Sequence, residues 1–441
     1  MLTFVKLPKF PLFPVPCSLF PISTVKPNFV RLLTMISKDD NNQEIKDGWR
    51  DDVTEFRNWM KIIPTIPEKL FKIASDIPTP ALVYDLDAIT DTVTALRNDL
   101  RQIPNIELCL AVKANRCQSV LRHMAKLGLG ADITTIQELD AAMAAGLWPI
   151  YSTAPGFSVA DLKRLATEGV IPDLCSLSQL RVWCESANPD KRVGLRLRLP
   201  FHEDAKAKNV VTRWSRFGVD PKDSGLHSLI QTHKLEVVHL HVHEGETFSE
   251  ADLHQTLDLL VSCLEIFPKV EVLNLGGGWA YLFHLQKPEA QRVWNLVNKT
   301  ITRINNQRQQ PVRLVIEPGM LLTMMAGYLV AEVKAADDHP SGHRIVVLDT
   351  SAWNLMFWAP CPAVAQIPFR EEPMLVHDLA GCTCYETDYF CLNEKMARVE
   401  VGDRVILNAS GAYTSSVARS LHGLPIPKEF VIRDNRLSLV D

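Results

Sequence analysis

Leu110-Ala111-Val112-Lys113-Ala114-Asn115 is a short apolar run that stops abruptly at one lysine. Glu107-Leu108-Cys109 precedes it, and a polar stretch that opens a helix follows. The run reads as a buried strand of a parallel sheet, where both faces are covered and apolar residues are continuous. A lysine closing such a strand stands at the mouth of the sheet. Burial there disfavours the ammonium, lowers its pKa and makes the amine nucleophilic toward carbonyls. The alternative is a surface lysine that merely ends a strand.

Working outward, short β-rich runs alternate with helical segments from about 87 to 318. The strands are expected at Leu108 to Lys113, Ala131 to Thr134, Ile150 to Thr153, Ile171 to Cys175, Val193 to Leu199, Leu235 to Val242, Val270 to Leu275 and Val312 to Ile316. Helical stretches such as Ile136 to Ala145, Val159 to Glu168, Gln179 to Ala187, Glu250 to Phe267 and Glu289 to Asn306 separate them. Eight strands in such alternation predict an α/β fold, a (β/α)8 TIM barrel. A doubly wound open sheet gives the same beat. After about 328 the helices stop. Leu329 to Val333, Arg344 to Leu348, Met374 to Asp378, Arg398 to Val401 and Arg404 to Leu407 read as strands of a second, β-rich domain, which the short strand Ala81 to Tyr84 is expected to join. The resulting division is a leader (1–35), an N-terminal helical or extended segment (36–80), the barrel (81–325) and a C-terminal β domain (326–441).

Barrel chemistry gathers past the carboxyl ends of the strands. Those ends carry Lys113, then Arg196 and Arg198, then His239, His241 and His243 with Glu244, then Gly276-Gly277-Gly278, then Glu317-Pro318-Gly319. Three glycines let backbone N–H groups turn toward a phosphate, or simply make a tight turn. Glu317 could hold a protonated ring nitrogen, or form a salt bridge across the rim. The three histidines alternate and so share a face; they could bind a metal, but nothing completes the ligand set, and the expectation is no metal. Amine, phosphate nest and carboxylate together are the parts that pyridoxal 5′-phosphate needs.

The remaining composition narrows the class. At 441 residues, 46% hydrophobic, 22% charged and a net charge of −4, the chain is an ordinary globular protein with no pull toward nucleic acid or anionic membrane. No apolar stretch reaches the ~20 residues of a membrane helix. The ten cysteines are scattered, and Cys382-Thr383-Cys384 lacks zinc spacing, so reduced thiols in a cytoplasmic protein are expected. Residues 1–34 hold four basic residues, no acid and many prolines; they are expected to be disordered, as a transit-like tail or a leader upstream of a start at Met35. Asp51 to Met60 reads as a helix.

From Pro80 onward the sequence resembles the fold-type III pyridoxal-phosphate decarboxylases that act on diaminopimelate, ornithine and arginine. The motifs stand in the family's order: Ala111 to Asn115, Ala131-Asp132 with Glu138, Ser215 to Gly218, His241-Val242, Gly276 to Gly278, Glu317 to Gly319, Gly381 to Cys384 with Asp388, and Gly411-Ala412-Tyr413. The resemblance implies a barrel of the alanine-racemase type. It implies that Lys113 carries the cofactor as an imine, His241 stacks on its ring, Glu317 pairs with the ring nitrogen and Arg196 lies behind it. Gly276, Gly277 and Gly278 cradle the phosphate and Tyr413 reaches it. Cys384 comes from the second subunit of a head-to-tail homodimer and delivers a proton after CO2 departs.

The chain departs from the pattern in several places. Met320 stands where the family has a phosphate-binding arginine, and His243-Glu244 replaces a Gly-Ser. Tyr385 follows Cys384 where an acid usually holds the substrate's far amine, leaving Glu386 or Asp388 for that task. Asn354 to Trp358 lacks the arginine that grips a distal carboxylate. The last two departures argue against diaminopimelate and ornithine, and the branch that decarboxylates carboxylate-siderophore intermediates looks closest. The Trp353, Phe357 and Trp358 cluster suits a bulky substrate, or is simply core. A racemase and a non-catalytic relative are the other readings of the same fold.

Overall fold

The computed structural model describes residues 65–185, 191–198, 216–243, 250–285, 287–355, 364–371 and 373–440. The expected leader, the helix at Asp51 to Met60, and Ser215, Glu244, Phe357 and Trp358 lie outside the described residues.

The strands are β1 (Ala81–Asp85), β2 (Ile106–Ala111), β3 (Gly130–Ile133), β4 (Ile150–Ser152), β5 (Asp173–Leu174), β6 (Arg192–Arg196), β7 (Glu236–His241), β8 (Val272–Asn274) and β9 (Arg313–Ile316). They continue with β10 (Gly327–Asp338), β11 (Arg344–Leu348), β12 (Val364–Ile367), β13 (Met374–Ala380), β14 (Tyr389–Ala397), β15 (Arg404–Leu407), β16 (Lys428–Arg433) and β17 (Arg436–Leu439).

Strands β2 to β9 form one parallel sheet in the order β4-β3-β2-β9-β8-β7-β6-β5. Its two edges meet where Ser152 bridges Pro172, so the sheet curls into a barrel and the open-sheet alternative falls. Helices cover the outside. The helix Leu86–Leu100 turns Leu86, Ile89, Val93, Leu96 and Leu100 inward at three- and four-residue spacing, and Asp85 caps it by accepting from the Asp87 and Ala88 amides. Among the described residues no helix is long and apolar enough to cross a membrane.

The second sheet runs β14-β13-β11-β10-β1-β16-β17, with β15 on β10 and β12 on β15. Strand β1 lies here, antiparallel to β10 and parallel to β16, as the isolated N-terminal strand suggested. The expected start of the barrel at residue 81 therefore moves to the helix at Leu86. A second correction concerns Arg398 to Val401, expected as a strand. The ladder belongs to β14, and the chain after it bends: the Arg344 guanidinium donates to the Val399 carbonyl, Asp403 accepts the Glu400 amide and Gly402 has φ +87°. Strands β12, β14, β16 and β17 were not expected.

The two sheets lock together beside the barrel rim. A Cβ on Gly411 would lie 1.7 Å from the Thr323 carbonyl oxygen, and one on Gly327 would lie 2.2 Å from the Gly411 Cα. Both obstacles are backbone and cannot swing away. Gly411→Ala is expected to cost about 3 kcal/mol of stability, read as a lower urea midpoint with an unchanged slope. An unchanged midpoint would mean that this junction yields easily.

Candidate active site

Strand β2 delivers its last buried residues, Cys109 to Ala111, to the rim, where a 3-10 turn (Val112–Ala114) carries Lys113. Asn115 pins that turn: its Nδ2 donates to the Gly411 carbonyl at 2.9 Å and its Oδ1 accepts the Cys117 amide at 2.9 Å. The Tyr413 amide donates to the Ala114 carbonyl at 2.7 Å. On the far side, a Cβ on Gly319 would lie 2.8 Å from Ala114 Cβ, so the end of β9 packs directly on the lysine turn. Lys113 is thus rooted between both sheets, with its side chain 38% exposed.

Its amine donates to Asp132 Oδ2 at 2.6 Å. Asp132 sits on β3 directly opposite Ala111 in register. Burial opposes the ammonium, as expected, but the Asp132 carboxylate, with Tyr413 and Glu317, outweighs it, and the Lys113 pKa lies above the ordinary lysine value. The expectation of a lowered pKa is overturned here, because it took in desolvation and not the carboxylates across the rim.

His239 and His241 face into the barrel and bracket the buried Asp173 of β5, whose carboxylate oxygens lie 3.3 and 3.1 Å from their Nδ1 atoms. Gly194 makes this possible, since a Cβ there would lie 1.9 Å from Asp173 Oδ1. Burial pushes the Asp173 pKa up, but bonding to the two imidazoles holds it down at about 2. Thr153 Oγ1 reaches His241 Nδ1 at 2.9 Å. The other edge of the His241 ring meets Arg196 Nη1 at 3.3 Å and Glu317 Oε2 at 3.7 Å. Arg196 also donates to the His243 carbonyl at 3.1 Å.

His243 does not continue the row. It lies beyond β7, and its Nδ1 accepts the Gly277 amide at 3.1 Å, which places the proton of the neutral ring on Nε2. Burial and the nearby Arg196 and Lys113 charges press its pKa well below the usual histidine value, so the ring is neutral. Among the described residues no three His, Cys, Asp or Glu are grouped to hold a metal ion.

Gly276 and Gly278 adopt φ +68° and +90°, and a Cβ on Gly276 would lie 2.7 Å from the Val242 carbonyl. Asn274 couples this turn to the next strand: its Oδ1 accepts the Gly276 amide at 2.8 Å and its Nδ2 donates to Glu317 Oε1 at 2.5 Å. Glu317 is buried. Burial, then the Asp132 charge, raise its pKa, while His241, Lys113 and Asn274 pull the other way.

Lys113, Arg196, His241, Gly276 to Gly278, Glu317 and Tyr413 therefore surround one rim, connected by Asp132, Asn274 and Asp173. Sequence reading did not give those three a role. Each is a polar residue in a short apolar strand: Asn274 ends β8, Asp132 lies within β3 and Asp173 opens β5.

Cys384, Tyr385 and Glu386 form a second cluster, exposed on the loop between β13 and β14. Tyr385 stacks on Trp353, centroids 5.2 Å apart and 15° from parallel, and Cys384 Sγ lies 3.7 Å from His422 Nε2. Asp388 is placed differently from its expected substrate-facing role. It is buried beneath the loop, accepting from Thr383 N at 3.2 Å, Thr383 Oγ1 at 2.5 Å and Trp353 N at 3.3 Å. A Cβ on Gly381 would lie 2.4 Å from either of its oxygens. Asp388 shapes the loop that presents Cys384.

Residues 86–324 match the family model "Pyridoxal-dependent decarboxylase, pyridoxal binding domain". The chain is similar to the diaminopimelate decarboxylases of Escherichia coli strain K12 (25% identical over 399 residues, 85% of this chain and 93% of that protein) and Streptomyces coelicolor (26% over 391 residues, 82% and 87%). Among solved structures it resembles diaminopimelate decarboxylase from M. jannaschi (TM-score 0.74, 22% identical, 84% of this chain and 91% of that one). It also resembles the arginine decarboxylase of Paramecium bursaria Chlorella virus (TM-score 0.70, 19%, 82% and 98%). These structural likenesses share the barrel and the β domain.

Proposed function

Because the chain belongs to the pyridoxal-dependent decarboxylase family, we propose that the Lys113 rim is its active site, where it acts as a carboxy-lyase on the α-carboxylate of an amino-acid substrate with pyridoxal 5′-phosphate as cofactor. The observation that carries this reading is the convergence of the Lys113 amine, the buried Glu317 carboxylate and the side-chain-free Gly276 turn, with Asn274 joining the last two.

The residues fit that cofactor. Gly276 and Gly278 take the left-handed backbone that a tight, phosphate-facing turn needs, and a Cβ on Gly276 would collide with the Val242 carbonyl. When bound, the cofactor supplies an electron sink for the pair left as the α-carboxylate departs as CO2. Lys113 would bind its aldehyde carbon, and Glu317 would hold a proton on its ring nitrogen. His241, fixed by Asp173, Thr153 and Arg196, would offer its ring face. The glycine turn, whose Gly276 and Gly277 amides are held by Asn274 and His243, and Tyr413 would flank the phosphate. The Nε2–H of His243 adds a donor on a rim where Met320 offers no cation. Cys384 would hold the proton that replaces the carboxylate, carried into the pocket of a second copy of the chain in a homodimer.

The substrate we infer is bulkier than diaminopimelate: an amino acid already coupled to citrate or a similar acid, of the kind found in carboxylate siderophores. Tyr385, beside Cys384 and flat on Trp353, supports this by offering an aromatic face where a compact diamino acid would need an anion. Cofactor-loaded protein should release CO2 from such a conjugate and not from free diaminopimelate, ornithine or arginine. Turnover of diaminopimelate alone would overturn the substrate reading. Loss of optical activity without CO2 would make the enzyme a racemase.

A further inference from the structure

Cys384 does not stand alone on its loop. Its Sγ lies 3.7 Å from Nε2 of His422, within reach of a sulfur hydrogen bond, in the same chain. His422 is held for that contact. Its backbone is left-handed, at φ +60° and ψ +16°, a region few non-glycine residues enter without a local reason. The turn around it is clamped from both sides: Asn354 Nδ2 donates to the Leu421 carbonyl at 3.1 Å, and the Arg419 amide donates to the Asn354 carbonyl at 3.0 Å. Tyr385 leans on the imidazole at 5.9 Å.

The other charged or titratable groups nearby are Glu386, Asp388 and Arg419. Asp388 is engaged by Thr383 and the Trp353 amide beneath the loop, Arg419 lies over the Trp353 ring at 5.7 Å, and Glu386 points out from the loop surface. His422 is the titratable group in hydrogen-bond reach of the thiol.

We propose that His422 is the proton relay of Cys384, a positioning and recharging residue that acts through the thiol. The inference rests on the reading of Cys384 as the proton donor. Loss of CO2 leaves the α-carbon one proton short. The S–H bond breaks, its proton goes to that carbon and a thiolate remains. His422 takes a proton from solvent and passes it from Nε2 to sulfur, so the S–H bond re-forms and the imidazole returns to neutral. Each turnover consumes one solvent proton, as decarboxylation requires, and no oxidant or reductant enters.

Asparagine tolerates the left-handed backbone and cannot titrate, so His422→Asn tests the relay while keeping the turn. Alkylation of Cys384 by iodoacetamide on the holoenzyme, followed on its own peptide across pH, should be about tenfold slower near neutral pH in the variant, which lacks the imidazole that can take the thiol proton. Turnover should fall about tenfold with KM unchanged, and added imidazole should restore part of it in His422→Gly, whose backbone suits the same turn. An alkylation profile identical to that of the unmodified chain, in a protein where Cys384→Ala still slows turnover, would overturn the relay and leave the proton donor standing. Normal turnover in Cys384→Ala would overturn the donor itself, and the relay with it.

Discussion

Lys113→Ala is expected to lower turnover by about 10⁴-fold and to abolish the violet absorbance of the cofactor-loaded protein. The expectation follows from position. Lys113 is the amine that the β2 turn, Asn115 and the Gly319 contact all hold at the rim. Its charge also balances Asp132 and Glu317, both buried. Removing the ammonium leaves two buried carboxylates facing each other, so the pKa of Glu317, already raised by burial and by Asp132, should climb further. The variant should therefore lose colour, turnover and part of its affinity for the cofactor together. If the chain works as a dimer with shared sites, mixing Lys113→Ala with Cys384→Ala chains should recover activity, because one site of the hybrid carries both intact residues. A coloured, active Lys113→Ala enzyme would remove the basis of the account.

Glu317→Gln separates catalysis from stability. Turnover should fall about 10²- to 10³-fold, because glutamine cannot stabilise a proton on a pyridine nitrogen. Stability should move the other way. Burial and the Asp132 charge raise the Glu317 pKa, so the folded protein binds this proton more tightly than the unfolded chain does. For a group raised in this way, the stabilising contribution is present at acid pH and is lost as pH rises through the folded pKa. At neutral pH the ionised carboxylate thus costs stability, and a neutral glutamine, still bonded to Asn274, should hold or raise Tm. The same shift places the acid limb of the pH–rate profile above the ordinary carboxylate range. Asn274→Leu should move that limb higher still, since Asn274 is one of the groups pulling the pKa down. A Glu317→Gln protein that is fully active, or that is severely destabilised, would contradict this assignment.

The barrel was legible because buried parallel strands are continuous apolar runs and their carboxyl ends break that pattern. Lys113, the glycine triplet and Glu317 all stand at such breaks. The β domain was harder. Strand β14 carries Asn393 at φ +59°, and its ladder with β13 slips in register near His377 and Leu379, so alternation is disturbed where a strand exists. Arg398 to Val401 shows the converse, a β-rich composition bent into a turn by Gly402 and Asp403. Within the site, the residues left without a role are partners across the barrel. Asp132 matters because β3 sets it opposite Ala111, and Asp173 because Gly194 clears space for it between two histidines. No local pattern encodes those neighbours, and that is also why the direction of the Lys113 shift was misjudged.

The most direct test is chemical. Loading the purified chain with pyridoxal 5′-phosphate, reducing it with borohydride and mapping the pyridoxyl group by peptide mass spectrometry should find it on Lys113 alone. A label on another lysine, or no label at all, would contradict the claim that this rim holds the cofactor.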